Sequence, residues 1–381
     1  MTGRGASTAM VAVVLLTVAG CCWPLTRFPE VRTGVAIREP DEVCGVCEDR
    51  EARARRLRSD VESIAFERSH QERAALERAR ATVERRLGAL ATPSGAVRLT
   101  THPYAIEVAW LDAIRRRATI SKCADCWEDQ ERAMLEGEFH NVELVVTGSD
   151  PTAPAIVVGA HYDSDTCESK GVNPGADDNA SGVAALIELA RMAAPKQRAR
   201  TIRFVAFTNE EEPFFHTPAM GSLVYARALE NAEIPVAAML SLETLGFYSD
   251  EAGSQDTFGL AGKIYGLPDT GNYVALVANH RSADLVERVS LVLRDETRVR
   301  VEGIAAWAGI PGVDWSDHWS FWQIGAPALM VTDTAPNRNR CYHRPCDRHD
   351  RLDYAKLAEV VAGLDRVLDD LAGPVDDDAT R

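Results

Sequence analysis

From about residue 139 to residue 331, short apolar runs of strand length alternate with loops and helical stretches, and most end on a histidine or an acid. The runs are 141–146, 156–160, 201–208, 237–242 and 327–331. Runs this short and apolar fit strands buried on both faces. Between them, residues 182–192 have helical periodicity. At the end, residues 351–371 carry Leu352, Leu357, Val360, Leu364 and Leu368 on one helical face. Strands alternating with helices predict an α/β fold: a mixed, mostly parallel sheet sandwiched by helices.

The 381 residues allow one large domain or two modest ones, and 46% apolar content suffices for a full core. A single domain is expected over 48–372, with 48–90 forming a helical N-terminal part. There Leu57, Val61 and Ile64 share one helical face, and Leu76, Val83, Leu87 and Leu90 share another. Ser69-His70 separates the two helices. The formal charge of -15 speaks against a nucleic-acid partner, which needs a basic face. Residues 373–381 read as a disordered tail.

The first residues have an export pattern. Arg4 precedes a short apolar run from Ala9 to Val18, followed by Val18-Ala19-Gly20-Cys21. The apolar run is too short to span a bilayer and fits a signal peptide. The small residues before Cys21 resemble a lipoprotein cleavage box. Residues 1–21 are therefore expected to be a lipoprotein-type signal, with Cys21 as lipid-bearing residue and 22–47 as a Pro-, Gly- and Cys-rich tether. This places the protein outside the cytoplasm, held to a membrane through a lipid anchor. In that compartment Cys44, Cys47, Cys123, Cys126, Cys167, Cys341 and Cys346 are expected to serve as structural disulfides more than as a thiolate zinc site. Their connectivity is not legible.

The chemistry gathers at strand ends. Residues 156–160 deliver His161 to a strand terminus, with Asp163 two residues on, able to hold the far imidazole nitrogen of a metal-bound histidine. Pro174-Gly175-Ala176-Asp177-Asp178-Asn179-Ala180-Ser181-Gly182 precedes a helix, and N-capping accounts for one of its acids but not for the whole string. The strand ending at Thr208 runs into Glu210, Glu211 and Glu212, a costly cluster without a cation nearby. Glu243 closes another apolar strand, and Tyr342 stands beside His343. Two histidines with several carboxylates suit zinc, and the surplus of acids points to two ions.

The ordered motifs GAHYDSD, PGADDNASG, FVAFTNEEEPFF, MGSLVYA, LSLETLG, SDHWSFWQIGAPALMVTDT and CYH resemble those of metallopeptidase family twenty-eight over roughly residues 57–371. The resemblance implies a zinc-exopeptidase fold and an aminopeptidase acting on peptides with a free N-terminus. It places His161, bridging Asp177 and Glu243 on one zinc, with Asp177, Glu211 and His343 on the other. Glu210 would be the general acid/base, Tyr342 would steady the oxyanion, and Asp163 and Asp317 would stand behind the ligands. Resemblance and geometry also place a cis peptide between Asp177 and Asp178.

Departures leave alternatives. The third acid, Glu212, allows a register in which Glu211 and Glu212 are base and ligand. Glu243 stands where many relatives have Asp, and the segment after His343 differs from the Thr-rich sequence usual there. His318 and His349 read as structural or rim residues. The competing functions are a single-zinc glutaminyl cyclase and a non-catalytic binding module on the same scaffold. Retention of every expected ligand speaks against the module.

Overall fold

The computed structural model describes residues 26–27, 44–120, 131–135, 137–165, 172–256 and 268–374. In chain order the elements are β1 (Thr26–Arg27), α1 (Cys44–Ile64), α2 (Arg73–Gly88), β2 (Val97–Ala105), α3 (Leu111–Ile120), α4 (Glu131–Leu135), β3 (Glu138–Val146), β4 (Ala155–His161), α5 (Gly182–Ala193) and β5 (Ile202–Phe207). They continue with α6 (Gly221–Asn231), β6 (Val236–Glu243), β7 (Tyr273–Asn279), α7 (Ala283–Glu296), β8 (Arg300–Ala306), α8 (His318–Trp322), β9 (Ala328–Thr332), α9 (Ala335–Arg338) and α10 (Tyr354–Ala372).

The sheet order is β1-β8-β7-β9-β6-β4-β5-β3-β2. The centre, β9-β6-β4-β5, is parallel throughout, while β3 joins β5 antiparallel and β7 joins β9 antiparallel. Every residue of β4 is buried, and alternate residues serve opposite faces. Ile156, Val158 and Ala160 belong to the core shared with α1, α2, α5, α7 and α10. Val157 lies in the other layer with Tyr225, Leu229 and Phe321 of α6 and α8. This two-sided burial is why the strand is apolar without alternation.

The sequence expectations differ from the fold in several places. β2, β7 and β8 go beyond the five strands read from apolar runs. β2 is an edge strand with a polar, half-exposed pattern and Pro103 inside it, as edges tolerate. α1 already begins at Cys44, inside the expected tether, and Thr26–Arg27 pairs with β8 at Ala305 and Ile304. Gly373, expected in the tail, accepts a hydrogen bond from the Ala199 amide, and Ala372 accepts one from Arg200. These bonds satisfy carbonyls that a helix C-terminus leaves open. The cleavage box at Cys21, the cysteines 123, 126 and 167, and residues 375–381 lie outside the described residues, as do the side chains of Cys44 and Cys47. Among the described residues no helix is long and apolar enough to cross a membrane.

β4, β5 and β6 are parallel neighbours, so their carboxyl ends meet along one edge of the sheet, where α/β folds place their sites.

Candidate metal centre

His161, the last residue of β4, is fully buried, as the strand's register requires. Its Nε2 lies 3.2 Å from Asp178 Oδ1, 3.4 Å from Glu243 Oε2 and 3.8 Å from Glu210 Oε2. His343 Nε2 lies 2.9 Å from Asp178 Oδ2 and 3.5 Å from Glu211 Oε2. Asp178 therefore presents one carboxylate oxygen to each imidazole. His161, Asp178 and Glu243 form one cluster of donors, and Asp165, Glu211 and His343 form another, with Asp178 between the two histidines.

The carboxylate between the two histidines is that of Asp178 and not of Asp177, the expected bridging residue. The string 174–182 is pinned to the end of β6 by side chains of its own. Asn179 Nδ2 donates to the Leu242 carbonyl, and its Oδ1 accepts from the Gly182 and Thr244 amides. Ser181 Oγ accepts from the Leu245 amide and donates to the Asp177 carbonyl. Asp178 (φ -108°, ψ 96°) and Asn179 (φ -129°, ψ 41°) have non-helical dihedrals, which break the helical turn at this point. Asp178 faces the histidines, while Asp177 turns away to accept from the Gly246 amide at 3.0 Å and Asn339 Nδ2 at 3.1 Å. The cis peptide is likewise shifted by one residue, to Asp178-Asn179. Gly175 stands at φ +53°, and a Cβ there would meet the Asp178 carbonyl oxygen at 2.2 Å, so this turn requires glycine.

After β5, Asn209 takes a left-handed φ of 56°, which asparagine tolerates, and the chain turns Glu210 and Glu211 inward. Asp163 holds this turn: its carboxylate accepts from the Glu210 amide at 3.3 Å and the Glu211 amide at 3.1 Å, while lying 3.6 Å from His161 Nδ1. Glu212 points the other way and pairs with Arg117 of α3. This separates the three acids by what they face, which the sequence register alone left open. Ser316 Oγ donates to Glu243 Oε2 at 2.8 Å. Asp317 is fully buried. Burial pushes its pKa up to about 7 against the pull of His161. The Tyr342 ring stacks on His343 at 3.9 Å, and a disulfide between Cys341 and Cys346 brackets both residues. His318 is buried, with Nε2 on the Val313 carbonyl, and His349 lies beside Glu62.

The electrostatics fit cations. Burial raises the pKa of Glu211 well above the carboxylate range, with Asp178 adding to it. It does the same for Glu210, where Glu243 and Glu211 add to it against His161. Burial opposes charge on His161, yet Glu243 and Glu210 outweigh it and hold the imidazole pKa well above its usual value. Asp178 is held below the usual range, because His161 and His343 outweigh its burial. Asp178 Oδ1 and Glu211 Oε1 are buried and outside hydrogen-bond geometry. Donor atoms of a tetrahedral zinc stand about 3.3 Å apart, given bonds of about 2.0–2.1 Å. The 3.2 and 3.4 Å separations around His161, and 2.9 and 3.5 Å around His343, match that spacing.

Two residues behind the cluster have no local sequence signal. Asp347 accepts from the Asp177 amide and, at 3.1 Å, from the Asp178 amide, so the acid in the divergent segment after His343 fastens the bridging loop. Arg68 is fully buried between the two N-terminal helices. It donates to the carbonyls of Tyr162, Pro174 and Gly175 at 2.7, 2.6 and 2.8 Å. Burial lowers its pKa to about 10, against the carboxylates of Asp178, Asp163 and Asp347. Those three carbonyls lie 94 or more residues along the chain, beyond any local pattern. Each buried carbonyl left unsatisfied costs about 1–3 kcal/mol. The Gly175 carbonyl also accepts from the Ala180 amide, so Arg68→Met opens the Tyr162 and Pro174 carbonyls. The substitution is therefore expected to lower unfolding free energy by at least about 2 kcal/mol and to weaken zinc retention, read by urea denaturation and metal analysis of the same preparation. An unchanged midpoint would remove Arg68 from this role.

The fold and the site define a metallopeptidase-type centre on a zinc-exopeptidase α/β scaffold. The chain belongs to peptidase family M28, whose model matches residues 141–366. It is 39% identical over 238 residues to the uncharacterized protein YfbL of Escherichia coli, covering 62% of this chain and 72% of YfbL. It is 31% identical over 153 residues to a probable zinc metalloprotease of Pyrenophora tritici-repentis, covering 39% of this chain and 34% of that protein. Among solved structures, the aminopeptidase from Aneurinibacillus sp. strain AM-1 superposes with a TM-score of 0.54 at 18% identity, covering 84% of this chain and 94% of that one. A Bacteroides thetaiotaomicron glutaminyl cyclase does so with a TM-score of 0.55 at 14% identity, covering 84% and 96%. At these identities the structural likeness speaks for the fold.

Proposed function

We propose that the protein is an exported, lipid-anchored aminopeptidase that hydrolyses the first peptide bond of substrates with a free N-terminus, using two zinc ions. The observation that carries the reading is Asp178, which offers one oxygen toward His161 and the other toward His343. Under this reading His161, Asp178 and Glu243 hold one zinc, and Asp178, Glu211 and His343 hold the other. When bound, zinc acts as a Lewis acid on a carbonyl and makes a water nucleophilic near neutral pH. Glu210, 3.8 Å from His161 Nε2, would take a proton from the attacking water at its carboxylate and deliver it to the departing amine nitrogen. The Tyr342 hydroxyl donates to the developing oxyanion. Asp163 keeps Glu210 and Glu211 in place through their amides. Export and lipid on Cys21 are supported by the Val-Ala-Gly-Cys box.

The test is an aminoacyl-anilide assay with metal analysis. Chelation is expected to abolish cleavage while the circular dichroism spectrum stays native, because the ligands occupy loops and strand ends outside the apolar core. Zinc should restore turnover, and N-acetylated anilides should resist it. Full activity after complete removal of metal would refute the mechanism. One zinc per chain with cyclisation of glutaminyl peptides would assign a cyclase instead.

A further inference from the structure

β7 and β8 run opposite to β9, with Ala275 beside Thr332 and Ala278 beside Leu329. Glu243 is level with Thr332, so the carboxyl ends of β7 and β8, at Asn279 and Ala306, lie at the end of the sheet away from the metal cluster. That end holds a cavity of about 380 Å³ lined by His280, Arg281, Trp307, Trp319 and Trp322 among others. Trp307 is 68% exposed and Ile310 is 37% exposed, both in one turn closed by the Ile310 amide on the Trp307 carbonyl. Arg281 is exposed beside them. A large aromatic surface beside a cation is unusual on a chain of net charge -15.

The strand register brings Thr26 to this end of the sheet. Thr26 pairs with Ala305 and Arg27 with Ile304, antiparallel, so Thr26, the upstream residue of the pair, is the one nearer along β8 to Trp307. Cys21 is five residues upstream, which limits its distance from Thr26 to about 18 Å. The intervening residues are Cys22-Trp23-Pro24-Leu25. A lipid on Cys21 would bring a bilayer within reach of the Trp307 turn. Tryptophan favours the headgroup interface, and arginine pairs with lipid phosphate.

We propose that the Trp307–Ile310 turn and the Arg281 groove form a membrane-contact face, which turns the metal cluster away from the bilayer toward soluble peptides. This rests on the lipid-anchor reading of Cys21, and the experiment separates the two. The purified full chain is mixed with vesicles of phosphatidylethanolamine and phosphatidylglycerol carrying brominated acyl chains, and flotation and tryptophan quenching are read together. The expected result is flotation with quenching, part of which is lost in Trp307→Phe. Trp110→Phe, beyond the β2 edge, should lose none. Lipidated protein that floats while Trp307→Phe is quenched as fully as wild type overturns the contact face alone. A chain without lipid that still floats and is quenched at Trp307 keeps the face and refutes the anchor. A chain that carries no lipid and does not float overturns both. Concentration-dependent dimers lost in Trp307→Phe, with no quenching at that residue, would assign the surface to a second copy and overturn the proposal.

Discussion

Asp178→Asn is expected to lose bound zinc and turnover together, whereas Asp177→Asn keeps both. Asp178 is the carboxylate that each imidazole faces, and its negative charge is held by both. A neutral amide there removes a ligand from each proposed ion. Loss of a group that merely supports a ligand already costs about 10–100-fold in metal affinity, so loss of the shared ligand should exceed that. Asp177 sits among carboxyls. Burial, with Asp333 and Asp347 nearby, raises its pKa well above the usual range. An asparagine resembles the neutral acid in size and can still accept from the Gly246 amide. Its expected cost is about 1–3 kcal/mol of stability, from the disturbed contact with Asn339. Zinc content by mass spectrometry and anilide turnover decide the matter. An Asp177→Asn protein stripped of zinc, beside an Asp178→Asn protein that retains it, would overturn the placement.

Glu210→Gln should lower kcat by about 10²–10⁴ with little change in KM and with zinc content near wild type. The glutamine keeps the shape and the Glu210 amide bond to Asp163, but cannot accept the proton. Glu211→Gln should instead deplete one zinc, because Glu211 stands 3.5 Å from His343. Glu212→Gln should leave metal and rate nearly unchanged, since Glu212 is committed to Arg117. Metal loss on Glu212→Gln, with Glu211→Gln failing only in rate, would mean that the acidic run is read one residue out of register.

Much of this was legible in the sequence. The apolar runs leading to His161 and Glu243 marked central strands, because burial on both faces removes alternation and their length is that of strands. In a parallel sheet such strands end at one edge, so their terminal residues must converge. The helical stripes Leu57–Val61–Ile64 and Leu76–Val83–Leu87 are buried as their spacing implied, while Leu90, read on the second stripe, lies past the end of α2 and is half-buried. Family motifs then carried the reading from residue types to a metallopeptidase centre.

Which acid of a pair faces inward was decided by tertiary structure alone. Asp177 and Asp178 are chemically identical neighbours. What separates them is a backbone turn held by Asn179 on Leu242 and Thr244, and by Asp347 from beyond His343. The same holds for the acidic run, where Asp163 and Arg117 draw consecutive glutamates in opposite directions. Arg68 and Asp347 carry no local pattern because the loop groups that they fasten lie far along the chain. Periodicity reports the environment that a segment shares along its length. The direction of a single side chain in a loop depends on contacts that exist only once distant segments have met.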